Sequence, residues 1–349
     1  MSKIAVITDL HFGCRNDSEQ IDKFIRKFYE TVFFPYLDKN KITTVFCLGD
    51  VFDHRKHIAF STLTTCIDYF FDQLSVRGIK FTCLAGNHDI ALKNSSKINA
   101  IDLLLEKYDW NLITKEACTL TFDNLEILFV PWITNSNREQ CLSAIQKSNA
   151  DMCLGHFEIE GFEMHRGSIC EHGLTQSMFK HFDFVGSGHF HHRSTIGNIT
   201  YFGNPYETTW NDYDDPRGFH VLDTETKEFE FFENPNRLFK KIYYNEDQVD
   251  KNAEQYKECF VKLIVENRTD FKKFDAYITK LNNAGLYDLK VIDSIDDLIT
   301  DETDDIDVDL DDTESLLMQY VDSIDTDLSK DKIKEKLNKI YREAQIINE

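Results

Sequence analysis

Seven side chains of metal-binding type stand directly behind short apolar runs: Asp9 and His11, Asp50, Asn87, His156, and His189 with His191. A glycine precedes four of these groups, at Gly49, Gly86, Gly155 and Gly188. Glycine lets the backbone turn sharply and come close to a bound species. Four imidazoles, two carboxylates and one amide exceed what a single ion holds. They suit two octahedral sites sharing an aspartate that gives one oxygen to each ion. With no thiolate in the set, Mn2+ or Fe2+ fits better than structural zinc. Two ions about 3.5–4 Å apart can activate water and neutralise charge on an in-line phosphoryl transfer. Taken singly, each short motif has a bland reading as a turn or solvated loop. Five in order, each ending an apolar run, make chance a poor explanation.

The elements that must carry these residues follow from the apolar patterning. Residues 3–8, 42–48, 79–84, 151–154 and 183–185 read as buried strands, rich in β-branched residues, Phe and Leu. Ile21, Phe24, Ile25, Phe28 and Val32 fall at helical spacing between the first two. Strand–helix–strand alternation predicts a layered α/β fold, whose ligands lie outside the carboxyl ends of the strands. Hairpins are expected at Asp123-Asn124 and at Gly197-Asn198, so the sheet is mixed. From 236 to 292 the pattern changes to three strands, 240–244, 259–265 and 288–291, around a helix at 271–283. This reads as a small α+β domain without catalytic-looking residues. Residues 293–312 read as an acidic linker, and 313–349 as a tail of two amphipathic helices.

Composition bounds the rest. The chain has 349 residues and a net charge of −22, with 42% hydrophobic residues and 28 Phe, enough for a sizeable core. Between 293 and 314 stand twelve acidic residues and no Lys or Arg, and without them the charge is −10. That balance disfavours a module gripping DNA by bulk positive charge. Nine cysteines, an odd number with no C-x-x-C pair, read as free thiols in a reducing cytoplasm. No apolar run approaches the ~20 residues of a membrane-spanning helix.

In order, Asp9-Leu10-His11, Gly49-Asp50-Val51-Phe52-Asp53, Gly86-Asn87-His88-Asp89, Gly155-His156 and Gly188-His189-Phe190-His191 resemble the signature of calcineurin-like metallophosphoesterases. The stretch from Tyr201 to Tyr206 and that from Asp215 to Asp223 resemble the SbcD-type DNA-repair nucleases within that family. The size, the Pro131-Trp132 pair and the acidic C-terminal region resemble their bacteriophage members. The resemblance covers about the first 235 residues by motif and the remainder by layout. It implies layered mixed β-sheets flanked by helices over 1–235, a capping domain over 236–292 and a partner-docking tail. It further implies that Asp9, His11, Asp50 and His191 hold one metal. Asp50, Asn87, His156 and His189 would hold the other, with Mn2+ the expected ion and Mg2+ or Fe2+ the alternatives. His88 would face the phosphate and assist the leaving oxygen, with Asp53 orienting it. His54 and His192 flank the motifs without matching them and read as possible phosphate contacts. His57, His165, His172, His181 and His220 are read as structural.

The activity so implied is Mn2+-dependent cleavage of DNA, exonucleolytic on duplex ends and endonucleolytic on single strands. The expected partners are DNA, a second copy of the chain and a coiled-coil SMC-like ATPase, with no membrane. One alternative is a phosphomonoesterase or protein phosphatase of the same superfamily. His54 interrupts the phosphatase pattern after Asp53, however, and Gly188-His189-Phe190-His191 replaces its His-Gly-Gly segment. The other alternative is a non-catalytic scaffold, disfavoured by the intact set of seven ligand-type residues and His88.

Overall fold

The computed structural model describes residues 2–165, 168–246, 252–293 and the isolated positions 321, 330, 333, 334, 336 and 337. The chain divides into a compact unit, Met1–Asp293, and a second unit, Ser294–Glu349. Apart from Asp293 and those six positions, the acidic segment and the tail lie outside the described residues.

Two six-stranded sheets form the heart of the first unit. One runs, in spatial order, Phe229–Glu233, Gly218–Asp223, Lys3–Ile7, Thr44–Cys47, Lys80–Leu84 and Asn111–Ile113. The other runs Ser194–Ile196, Ile199–Tyr201, Phe184–Gly188, Met152–His156, Leu125–Val130 and Cys118–Phe122. Side-chain alternation builds the layers, because successive strand residues point to opposite faces. Ile4, Val6, Phe46 and Leu48 from the first sheet meet Ile127, Phe129, Met152 and Leu154 from the second in a shared core. The intervening Ala5, Ile7, Val45 and Cys47 turn outward, under Phe24, Phe28, Phe70 and Phe71 of the helical layer. On the far side Leu128, Val130, Cys153 and Val185 pack beneath Cys141 and Ile145 of helix Arg138–Lys147. Helices, sheet, sheet and helix therefore stack in four layers.

The five expected strands form, and both hairpins turn where expected, with Asp123 in the left-handed region. Each sheet is mixed. Lys3–Ile7 lies parallel to Thr44–Cys47 but antiparallel to Gly218–Asp223, a strand the apolar pattern had not marked. Further along, Phe239–Asn245, Phe260–Asn267 and Asp288–Ile292 pair all-parallel, with helix Phe271–Asn283. Their core of Leu263, Phe274, Tyr277 and Leu281 is separate from the others. Asp270 caps that helix by accepting from Lys273 N. Among the described residues, no helix is long and apolar enough to cross a membrane.

Candidate dinuclear metal site

The carboxyl ends of the two sheets abut, and all seven ligand-type residues gather there. Beyond Ile7 the chain stays beside the second strand's continuation: Asp9 N donates to Gly49 O at 3.0 Å and His11 N to Asp50 O at 3.0 Å. Asp9, His11, Asp50 and His189 all hold positive φ, at 53°, 44°, 50° and 90°. Such backbone costs of order 1–3 kcal/mol per residue and persists where surrounding structure over-determines it. Close approach accounts for Gly86, where a Cβ would lie 2.1 Å from Asp50 Oδ1. The glycines thus let strand ends reach one another's side chains.

Two groups of donors result. Asp9, His11 and His191 form one, and Asp50, His156 and His189 the other. Asn87 Oδ1 lies 3.0 Å from both His156 Nε2 and His189 Nδ1, which places the amide in the second group. Asp50 Oδ2 stands between the groups, 3.2 Å from His156 Nε2 and 3.8 Å from His11 Nε2. His191 Nε2 faces His11 Nε2 at 3.0 Å.

The donor chemistry fits cations. His156 directs Nδ1 to Leu48 O at 2.7 Å, so the neutral ring presents a lone pair at Nε2. That lone pair confronts two further acceptors, Asp50 Oδ2 and Asn87 Oδ1. His11 Nδ1 is likewise committed, to Asp53 Oδ1 at 3.1 Å, which aims its Nε2 at His191. Acceptors converging on acceptors in a buried site need a positive charge between them.

The titration pattern agrees. Burial pushes Asp9 up, opposed chiefly by His156. Burial also pushes Asp50 up but is outweighed by His156, His88 and His11, which hold it well below the usual carboxylate range. Burial lowers His156 and His11, yet Asp50 lifts His156 to about 9, and Asp53 with Asp50 lifts His11 to about 10. Burial and His156 push His189 down to about 3.

His88 stands half-buried beside these groups, its ring edge-on to His11 at 4.9 Å between centroids. Its Nδ1 donates to the backbone carbonyl of Asp53 at 2.6 Å. Asp53 therefore meets His88 through its main chain, while its carboxylate, grouped with both imidazoles, hydrogen-bonds His11. His54 stacks on His57 at 4.7 Å, and His192 Nδ1 meets Asp215 Oδ2 at 2.9 Å. His220 is buried between Phe202 and Phe231, as a structural histidine would be.

Three supporting residues escaped the sequence reading. Asp89 accepts from Val51 N, Phe52 N and Gly86 N at 3.0, 3.1 and 2.9 Å, and so ties the second motif to the third. Burial and the neighbouring Asp50 push it up to about 7. Its signal was its place as the last residue of Gly86-Asn87-His88-Asp89. Arg217 is 3% exposed and donates to Asp212 Oδ1 at 2.8 Å and Asp215 Oδ2 at 2.7 Å. It also donates to His191 O and Asn204 Oδ1, and so clamps the loop that carries His191. Trp132 packs against His189, with centroids 4.9 Å apart.

A family model described as calcineurin-like phosphoesterase matches residues 2–217. The chain is 33% identical to exonuclease subunit 1 of Enterobacteria phage T4, over 98% of this chain and 99% of that one. It is 25% identical to the SbcD subunit of nuclease SbcCD from Staphylococcus epidermidis, over 65% of this chain and 67% of that one. A solved archaeal phosphodiesterase aligns with a TM-score of 0.33 at 12% identity, over 66% of this chain and 99% of its own. The chain belongs to the calcineurin-like phosphoesterase family, and is a metal-dependent phosphodiesterase related to the SbcD-type nucleases.

Proposed function

We propose that this phosphodiesterase is a Mn2+-dependent DNA nuclease, an exonuclease on duplex ends and an endonuclease on single strands. The observation carrying this reading is the convergence of two His–carboxylate groups on Asp50, with His88 beside them and outside both. Asp9, His11, Asp50 and His191 would hold one ion, and Asp50, Asn87, His156 and His189 the other, with Asp50 bridging. When bound, the ions supply Lewis acidity toward the phosphate oxygens and activate water for attack.

The remaining work falls to side chains of this chain. His88 has its Nδ1 hydrogen committed to Asp53 O, so in the imidazolium form the second hydrogen, on Nε2, would face the phosphate and pass to the leaving oxygen, leaving the neutral ring. The Asp53 carboxylate fixes the tautomer and tilt of His11, the usual duty of an outer partner to a ligating imidazole. Asp89 and Arg217 hold the loops that carry Asp50 and His191.

The names of both relatives, an exonuclease subunit and a subunit of nuclease SbcCD, support a nucleic-acid substrate and a multi-subunit assembly. The partner proposed is a coiled-coil SMC-like ATPase that docks on the tail, 313–349. With a net charge of −22, the chain needs such a partner to supply much of the grip on DNA. The α+β element over 236–292 is assigned to capping or positioning DNA. A homodimer contact is assigned to the segments after the second and third motifs, where Phe60 is 88% and Leu103 72% exposed.

The test is incubation with Mn2+ and either end-labelled DNA or a small aryl phosphate monoester, with and without the ATPase. DNA degradation is expected. Monoester turnover without DNA degradation would overturn the nuclease reading in favour of a phosphatase, and silence on both would favour a scaffold. Deletion of 313–349 should spare cleavage of simple substrates and abolish co-purification with the ATPase.

A further inference from the structure

We infer that Glu158, Cys170 and His172 form a separate zinc site on the excursion that follows His156. One donor atom from each of the three lies within 4.8 Å of the others, and among the described residues this is the only such group that contains a cysteine. His172 Nε2 and Glu158 Oε1 are 3.5 Å apart. Two donors on one tetrahedral ion, each bonded at about 2.0–2.2 Å, stand at about that separation. Thiolate, imidazole and carboxylate together form a zinc set, softer than the oxygen- and nitrogen-only set at the strand ends.

The backbone holds the three donors in place without help from the ion. Leu174 N donates to Glu158 O and Gly161 N to Cys170 O, both at 2.8 Å, while Glu160 N donates to Leu174 O at 3.0 Å and Cys170 N to Phe162 O at 2.8 Å. Gly173 holds φ at +106°, and a Cβ there would sit 2.4 Å from Glu158 O. Only glycine lets the segment bearing His172 lie this close to Glu158. Cys170 is 1% exposed, whereas His172 is 73% exposed, which leaves the solvent side open for a water as fourth ligand. On binding, the Cys170 thiol proton passes to solvent and the sulfur takes its place on the ion.

The consequence is local. Glu158, Gly173 and Leu174 line a cavity of about 260 Å3 together with Trp132 and His156. A zinc clip would fix that wall beside the catalytic cleft. The site stands on donors that the proposed dinuclear centre does not use, so either can fail without the other.

The test uses the full chain loaded with Co2+. Because the strand-end ligands include no sulfur, a thiolate-to-cobalt charge-transfer band in the near ultraviolet reports Cys170 alone. The band is expected in the parent, absent in Cys170→Ser, shifted or lost in His172→Ala, and unchanged in Cys118→Ser. Zinc content should fall by one equivalent in His172→Ala, a substitution at an exposed position that leaves folding intact. No band in the parent, or a band that survives Cys170→Ser, overturns the assignment.

Discussion

Two regions of this molecule contain neighbouring parallel strands, and only one of them converges chemistry. At or just beyond the ends of parallel strands in the two large sheets stand Asp9, Asp50, His156 and His189, and three of these hold left-handed backbone. The strands of the α+β element end in Asn245, Asn267 and Ile292, and none of these has positive φ. Parallel pairing alone does not make a site. In the large body two sheets pack face to face with their carboxyl ends at the same edge of the stack, so residues leaving one sheet meet residues leaving the other. Among the described residues, the three-stranded sheet of the α+β element has no second sheet beside its strand ends on which they could converge.

Substitution at His88 should break the comparison most sharply. His88→Ala should keep both metals yet lose about 10²–10⁴-fold in cleavage, the range for removing a positioned acid–base group. Metal analysis alongside a turnover assay checks this, and loss of metal would remove His88 from its assigned role. Next comes the clamp behind the cleft. Arg217→Met takes the guanidinium from buried Asp212 and Asp215, which keep only Thr208, Thr209 and His192, and should cost about 3 kcal/mol by urea unfolding. It should also weaken Mn2+ binding through His191, and Arg217→Lys should recover part of that affinity. If Arg217→Met weakens folding but not Mn2+ binding, its role is structural only.

The α+β element should answer oppositely. Leu281→Ala removes a fully buried side chain from a core of its own and should cost about 2–5 kcal/mol there. Mn2+ stoichiometry should be unchanged, and altered metal content would show that the two regions are coupled. The smallest expected effect is a pH dependence at a histidine outside the ligand set. Burial, with help from Arg193, pushes His220 down to about 3, against about 6.5 when unfolded. The unfolded chain therefore binds the extra proton between those values. The stability held by neutral His220 is full above pH ~6.5 and drains as pH falls toward 3. At pH 5 the loss is about 2 kcal/mol relative to pH 7. His220→Leu should shrink that difference in urea midpoints, and an unchanged slope would show the drop arises elsewhere.

Much of this was legible in the sequence because it rests on local signals. The helix Phe271–Asn283 lies where the sequence placed it, and the hairpin at Asp123-Asn124 announced itself by its turn residues. The seven ligand-type residues were legible because each follows an apolar run. Strand Gly218–Asp223 was not, because it reads as a continuation of a motif-rich loop and gains strand character from pairing with residues 3–6, more than two hundred positions earlier. The division into two six-stranded sheets was hidden for a related reason: only the packed faces reveal which strands share a sheet. Asp89 and Arg217 are polar residues in polar surroundings of sequence, and their acceptors and donors lie on other loops. The Asp53 carboxylate turned to His11 because that imidazole, aimed at the cleft, needed its far nitrogen satisfied.

The left-handed backbone at Asp9, His11, Asp50 and His189 shapes how such a chain drifts under mutation. Glycine is the residue most at ease there, and it supplies neither a carboxylate nor an imidazole. If the proposed ligand roles hold, relief of backbone strain by glycine at these four places yields proteins that fold more readily and cut less. A lineage released from the need to cut phosphodiesters would be expected to lose these side chains early, with its layered sheets still standing.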